Sequence, residues 1–195
     1  MRCELKKVDW FSIFVTTALL TFSVRTEAQQ TGKIARIGFL DSSTASGSTV
    51  RLEAFRQELS KLGWIEGKNI IIKYRFAEQK NERLPEFAAE LVRQKVDLIV
   101  VTSGPPALAA KGATSTLSLV MTSTTDPVGE GLVASLARPG GNVTGLSGLA
   151  NELNTKRLEV LKDAVPKLVR VGFLRAPEVG ASLQWKEIRP AALHL

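Results

Sequence analysis

Cysteine and histidine are almost absent from this sequence, which has one of each in 195 residues. Cys3 has no partner for an internal disulfide, and a single thiol does not make a thiolate metal site. His194 leaves no histidine cluster for zinc and no Ser–His or Cys–His pair in the body of the chain. These absences argue against a disulfide framework, a zinc site and His-dependent nucleophilic catalysis.

Glycine-rich phosphate loops are also missing. Neither GxGxxG nor GxxxxGK[ST] follows any predicted strand, and Gly38 and Gly47 have the wrong spacing for either motif. We therefore expect no nucleotide, no metal and no other cofactor.

Positive charge is in excess, with a formal net charge of +7, but it is not concentrated. Lysine and arginine are scattered among glutamate and aspartate, without a basic run and without interleaved aromatic residues. A nucleic-acid-binding face requires clustered basic residues. The charge therefore indicates a solvated surface, and we expect no nucleic-acid partner.

Residues 1–28 are typical of a secretory signal peptide. Arg2, Lys6 and Lys7 form a basic start, and residues 10–24 form an apolar run that is short for a membrane span. Cleavage after Ala28 would also remove the one cysteine. The alternative is an uncleaved N-terminal anchor. The signal interpretation predicts a periplasmic protein.

Segments with strand and helix character alternate from residue 33 onward. Strands are predicted at residues 34–40, 69–74, 97–101, 118–121, 142–146 and 169–174. Helices are predicted near residues 52–62 and over 81–94, 104–112, 127–138 and 152–165, with a last one starting at 183. This alternation predicts the α/β class, with βαβ crossovers, a doubly wound parallel sheet and helices on both faces.

Residues 117–147 form the most distinctive strand–helix–strand unit. Asp126 is placed to cap a helix that has Pro127 in its first turn, a position that tolerates proline. Val128, Leu132 and Leu136 follow at helical spacing, and Pro139 with the next two glycines predicts the end of that helix.

The same unit carries a family resemblance. TTDPVGEGLV at 124–133 and ARPGGNVTGLS at 137–147 resemble the tryptophan/tyrosine-binding-like group of periplasmic substrate-binding proteins of ABC transporters. Weaker matches precede them in the same order, at residues 33–40, 55–78 and 83–101. The resemblance covers roughly residues 33–174 and implies the type I periplasmic binding fold.

The resemblance also implies a function. Relatives bind amino acids, aromatic ones prominent among them, and deliver them to an ABC permease and its ATPase without performing chemistry. Two other classes stay open, a ligand-sensing regulatory domain and a small-molecule enzyme, because fold does not fix function. A repressor would carry a helix-turn-helix where this chain carries the signal-like segment.

Small polar residues follow the predicted strands, where ligands bind in sheets of this kind. Hydroxyl groups and N–H groups at helix starts favour an anionic group such as a carboxylate, and Asp126 is suited to an ammonium group. A zwitterionic amino acid would satisfy both. The candidate ligand-binding residues are Ser42, Ser43, Thr102, Ser103, Thr124, Asp126, Gly145 and Ser147.

Most of these candidates have a structural alternative. Serine, threonine and aspartate before a helix often cap it, an alternative that applies to Ser42, Ser43, Thr102, Ser103 and Asp126. A glycine in a strand, such as Gly145, allows close approach of either backbone or ligand.

The predicted domain organisation follows from the family resemblance, together with the length of the chain. A type I binding protein has two lobes and needs on the order of 300 residues, more than one typical core. We expect a signal peptide at 1–28, the first ligand-binding lobe at 29–149, and a crossover helix with a truncated start of the second lobe at 150–195. Pro190 is expected to interrupt the last helix, and the segment from 152 to 174 to expose apolar surface.

Overall fold

The strands form one parallel sheet in the computed structural model, which describes residues 34–148, 150–174 and 179–194. The sheet order is β2-β1-β3-β4-β5, and every neighbouring pair is parallel. This confirms the predicted α/β doubly wound fold. The predicted signal peptide lies outside the described residues. The strands are β1 (Ala35–Asp41), β2 (Ile70–Phe76), β3 (Leu98–Val101), β4 (Ser118–Thr124) and β5 (Val143–Ser147).

The helices follow the strands in the predicted alternation, with one exception described below. A short 3-10 turn, Asn81–Arg83, precedes the second helix. The described helices are α1 (Ala45–Lys61), α2 (Leu84–Arg93), α3 (Gly104–Ala113), α4 (Ala150–Ala164) and α5 (Val179–His194). No helix in the described ranges is both long and apolar enough to cross a membrane.

Alternate residues of the strands pack into two apolar clusters. On one face of the sheet, Phe39 of β1 packs with Leu52 of α1. On the opposite face, Leu40 and Val101 pack with Leu91 of α2. Because the central strands are buried on both sides, their sequences are almost wholly apolar, as in LIVV of β3. Helices cover both faces, as right-handed crossovers require.

The helix predicted at residues 127–138 is absent, and that prediction was wrong. The segment is a single turn followed by irregular backbone. The N–H of Leu132 donates to Pro127 O at 2.8 Å, and Gly131 adopts a φ of +73°. That left-handed conformation suits glycine and does not propagate a right-handed helix.

The burial of the apolar residues in this segment explains the error. Leu132 is 2% exposed, whereas Val128 is 42% and Leu136 57% exposed. The helical spacing of the three therefore does not mark one buried face. Lys111 of α3 fixes the turn instead, because its Nζ donates to Gly131 O at 2.5 Å and to Leu132 O at 3.1 Å.

Two predictions near the end of the chain were also wrong. Residues 169–174 do not form a strand, and Val169 is 88% and Leu174 99% exposed. A strand requires a hydrogen-bonded neighbour, and no strand of the described residues pairs with this segment. Pro190 lies inside α5 and does not end it, because a proline removes one backbone hydrogen bond while the others continue the helix.

Candidate functional site

The strand order places a crevice between β1 and β3. The chain runs from β1 to β2 on one side and then crosses to β3 on the other. Ligands of open α/β sheets bind at such a reversal, beyond the carboxyl ends of the strands. Leu40 pairs with Val101 at these ends, so the loops after β1 and β3 start side by side. These loops contain four of the predicted site residues.

Asp41, the last residue of β1, organises the first loop. Its side chain is 4% exposed and lies 3.2 Å from Arg51 Nη2. It accepts hydrogen bonds from the Ser43 N–H at 2.9 Å and from the Ser48 hydroxyl at 2.5 Å. Burial by itself would raise the pKa of Asp41, but the hydrogen bonds from Ser43, Ser48 and Thr102 and the charge of Arg51 hold this pKa below its usual value. Asp41 is therefore an ionised anchor of the loop after β1 and of the start of α1.

The two serines after Asp41 do not cap α1 with their side chains. Thr44 is the N-cap, and its Oγ1 accepts from the Gly47 N–H at 3.0 Å. The Ser43 hydroxyl lies 2.6 Å from that of Ser48. Ser42 Oγ is buried and has no hydrogen-bond partner in the described part of the chain. Of the two, Ser42 has the hydroxyl that is available to a further partner.

The start of α3 has few N–H groups that could donate to an anion. Ser103 occupies the N-cap position, and its side chain makes no capping hydrogen bond. The first three helical residues are Gly104, Pro105 and Pro106, and proline has no N–H. This helix therefore presents one amide hydrogen in those three residues.

A carboxylate also lies at this helix start. Glu130 Oε2 is so close to Gly104 that a Cβ at residue 104 would overlap with it. The position suits a negative side chain because of the partial positive charge at a helix N-terminus. Glu130 was not predicted from the sequence as a site residue, because only the turn after β4 brings it to α3.

Two predicted site residues follow β4. Thr124 is 3% exposed, and its Oγ1 has no hydrogen-bond partner among the described residues. Asp126 Oδ1 accepts from the Gly129 N–H at 2.8 Å. Asp126 therefore caps the turn that replaces the predicted helix.

The remaining two residues belong to β5. Gly145 pairs with Met121 of β4 and has a φ of +143°. A Cβ at residue 145 would overlap with the Met121 backbone. The close approach that was expected at Gly145 is thus between two strand backbones. Ser147 pairs with Thr124 beyond a shift in the strand register.

The sheet therefore brings the loop residues to one edge, with neighbouring strands about 4.8 Å apart. Asp41, Ser48 and Arg51 were not among the site residues predicted from the sequence. One signal was available for them, since Ser48 and Arg51 are three residues apart on a helix and share a face. No group of three or more His, Cys, Asp or Glu that could hold a metal occurs within the described ranges.

Comparison with known sequences gives two findings. The sequence model of the family described as "ABC transporter substrate binding protein" matches residues 44–192. A tyrosine-binding protein from Clostridioides difficile is 37% identical over 133 residues, which is 68% of this chain and 38% of that protein. The chain thus spans less than half the length of this relative.

Solved structures resemble the chain over most of its length. A conserved domain protein from Vibrio cholerae has a TM-score of 0.75 and 29% identity, covering 83% of this chain and 54% of that one. An ABC domain from Streptococcus pneumoniae in complex with L-Trp has a TM-score of 0.72 and 26% identity, with the same coverages of 83% and 54%. Each similarity spans about half of the solved chain.

Proposed function

Because this chain belongs to the ABC transporter substrate binding protein family, we propose that it is the solute-binding component of an ABC import system. Its ligand is a small amino-acid-like solute, with aromatic amino acids as the first candidates. It delivers this solute to a membrane permease that an ATPase drives. Two similar proteins support the ligand class, one being a tyrosine-binding protein and the other a structure in complex with L-Trp.

The observation that carries the proposal is a pair of hydroxyl groups at the carboxyl edge of the sheet. Ser42 Oγ follows β1 and Thr124 Oγ1 ends β4, and both are buried without a hydrogen-bond partner in the described part of the chain. A buried polar group left unpaired costs about 1–3 kcal/mol. A polar ligand at this edge would provide the missing partners.

Calorimetric titration of the full chain with the twenty amino acids tests the proposal. We expect heat of binding with L-tyrosine or L-tryptophan, and a rise in the unfolding midpoint with the same ligand, because a ligand that binds only the native state stabilises it. The absence of binding by every amino acid would contradict the proposal for this chain.

A matched pair of substitutions locates the site. Thr124→Val removes the buried hydroxyl while keeping the side-chain shape, and we expect roughly threefold to tenfold weaker binding, the usual effect of one neutral hydrogen bond. Thr122→Val makes the same change at an exposed position of the same strand and is expected to leave affinity unchanged. Equal effects of the two substitutions would place the ligand elsewhere.

The domain organisation and location form part of the same proposal. We assign residues 29–149 to the ligand-binding lobe, and 150–195 to a crossover helix and the start of a second lobe. Exposed apolar side chains in 153–174 support a contact surface there, among them Val160 at 54% and Val171 at 52%. Residues 1–28 would direct the protein to the periplasm as a signal peptide.

A further inference from the structure

The guanidinium of Arg51 is held at the carboxyl end of β1 with part of its hydrogen-bonding capacity unused. We propose that Arg51 binds the carboxylate of the ligand and that Asp41 positions it for this contact. The inference rests on the proposed function, since it assigns a chemical group of the ligand to one residue of the proposed site.

Every hydrogen bond that Arg51 makes within the described ranges uses the same nitrogen. Nη2 donates to Asp41 Oδ2 at 3.2 Å, to Ser48 Oγ at 3.1 Å and to Ser43 Oγ at 3.3 Å. Nε and Nη1 have no partner among the described residues. The side chain is 60% exposed, so these unused donors are accessible to a ligand.

The arrangement suits a carboxylate for two reasons. Guanidinium groups form short, charge-assisted hydrogen bonds to carboxylates, which are stronger than neutral hydrogen bonds. Asp41 is buried at the strand end and fixes one nitrogen of the guanidinium. Less side-chain freedom is then lost when a ligand binds, which favours affinity.

Other residues at the carboxyl edge of the sheet also favour a ligand carboxylate beside Arg51. Ser42, with its buried and unpartnered hydroxyl, precedes Ser43, one of the three acceptors of Arg51. At the neighbouring strand, the carboxylate of Glu130 lies beside Gly104 at the start of α3, and like charges repel. A ligand carboxylate is therefore less favoured beside Glu130 than beside the guanidinium of Arg51 at the end of β1.

A purely structural role for Arg51 has to be separated from ligand binding. Arg51 also compensates the buried charge of Asp41, and removal of one partner of a buried pair destabilises a protein. Loss of affinity in an Arg51 variant is therefore not enough. The informative quantity is the preference of the site for a ligand with a carboxylate over one without it.

The experiment compares L-tryptophan with tryptamine, which lacks only the carboxylate. Kd for both is measured by calorimetry with the full wild-type chain, Arg51→Lys and Arg51→Ala. We expect the wild-type ratio of the tryptamine Kd to the tryptophan Kd to fall about tenfold or more in both variants, the range of one lost charge-assisted hydrogen bond. Arg51→Lys keeps a positive charge near Asp41, which preserves the fold if Arg51→Ala unfolds.

Lys61→Ala is the matched control, because it removes a positive charge from the same helix in its last turn. The ratio of the tryptamine Kd to the tryptophan Kd in Lys61→Ala should equal that of the wild type. A ratio unchanged in the Arg51 variants, with tryptophan still bound, would overturn the role of Arg51 and leave the proposed function standing. Failure of the wild type to bind any amino acid would instead remove the proposed function, and this inference with it.

Discussion

The carboxylate of Asp41 accepts a hydrogen bond of 2.5 Å from the hydroxyl of Ser48, across the loop that joins β1 to α1. The Ser43 N–H and the guanidinium of Arg51 also contact this carboxylate, and the side chain of Asp41 is 4% exposed. The loop at the candidate site is thus held by a buried ionised group. Its contribution to stability is measurable by substitution and by pH.

Asp41→Asn should lower the free energy of unfolding by about 2–4 kcal/mol at pH 7, because an amide cannot satisfy the same donors and leaves Arg51 without its charge partner. Urea denaturation measures this change. Glu53→Gln, at an exposed position of α1, is the control and should change stability by less than about 0.5 kcal/mol. Equal stabilities of Asp41→Asn and the wild type would contradict the anchoring role.

The pH dependence of stability gives a second test of Asp41. Its folded-state pKa is lowered, so its stabilising contribution is present above the unfolded pKa of about 3.9 and is lost as pH falls through the folded pKa. The wild type should therefore lose more stability than Asp41→Asn between pH 5 and acid values. Parallel acid curves for the two proteins would show that Asp41 is not the titrating group.

Tyr74 provides a spectroscopic test, because it is the only tyrosine in the sequence. Its hydroxyl donates to Glu66 at 3.0 Å and accepts from Arg56 Nε at 3.0 Å. Burial, above all, and the neighbouring Glu66 carboxylate raise its pKa to about 12, against the lowering effect of Arg56. The absorbance of tyrosinate near 295 nm should titrate with a midpoint near that value while circular dichroism shows a folded chain.

The sign of the linked stability effect follows. The folded pKa of Tyr74 is above its unfolded value of about 10, so its contribution is present below pH 10 and is lost as pH rises toward 12. Glu66→Gln should lower the midpoint, because a negative acceptor beside the hydroxyl is removed. Glu58→Gln, an exposed change on α1, should not move it. A midpoint near 10 in the folded wild type would contradict these contacts.

Gly145→Ala should lower the free energy of unfolding by at least about 2 kcal/mol, because a side chain at a φ of +143° is strained and its Cβ would overlap with the Met121 backbone. Gly141→Ala is the matched control, since a Cβ there meets no atom within 4 Å. Chemical denaturation compares the two. Similar decreases in the free energy of unfolding for the two variants would show that the backbone of β5 does not approach β4 this closely at Gly145.

Leu132→Ala and Leu136→Ala test the corrected structure of the segment after β4. Leu132 is 2% exposed, so Leu132→Ala should lower the free energy of unfolding by about 2–4 kcal/mol. Leu136 is 57% exposed, so Leu136→Ala should lower it by less than about 0.5 kcal/mol. Denaturant titration measures both. The amphipathic helix expected from the sequence would instead make the two substitutions similarly destabilising.

The predicted strands at the centre of the sheet were confirmed with small shifts at their ends. Strands β1 and β3 are buried on both faces. A short, continuous apolar run is typical of such a buried strand, so the sequence was enough to predict them. The helix after Asp126 was wrong because Val128, Leu132 and Leu136 have helical spacing without a shared buried face. Gly131 and the bonds from Lys111 decide that segment, and the hydropathy pattern contains neither.

The candidate site, like the fold, was predicted from the sequence only in part. The sequence predicted that hydroxyl residues after the strands would meet at one edge, because parallel strands end on the same side of a sheet. It did not indicate that Thr44, rather than Ser42 or Ser43, caps α1. Nor did it indicate that Asp41 accepts hydrogen bonds from Ser48 and Arg51, since an aspartate at a strand end has the same local sequence pattern whether it is solvated or buried.

The amino-acid sequence by itself determined the α/β class and the family, and it predicted the edge of the sheet on which the proposed site lies. These depend on periodicity, on motif order and on strand direction, which are properties of the chain taken locally. Only the tertiary structure decided which polar groups are paired and which are left open. Pairing depends on distances between residues far apart in sequence, such as Lys111 and Gly131, and the folded backbone alone sets those distances.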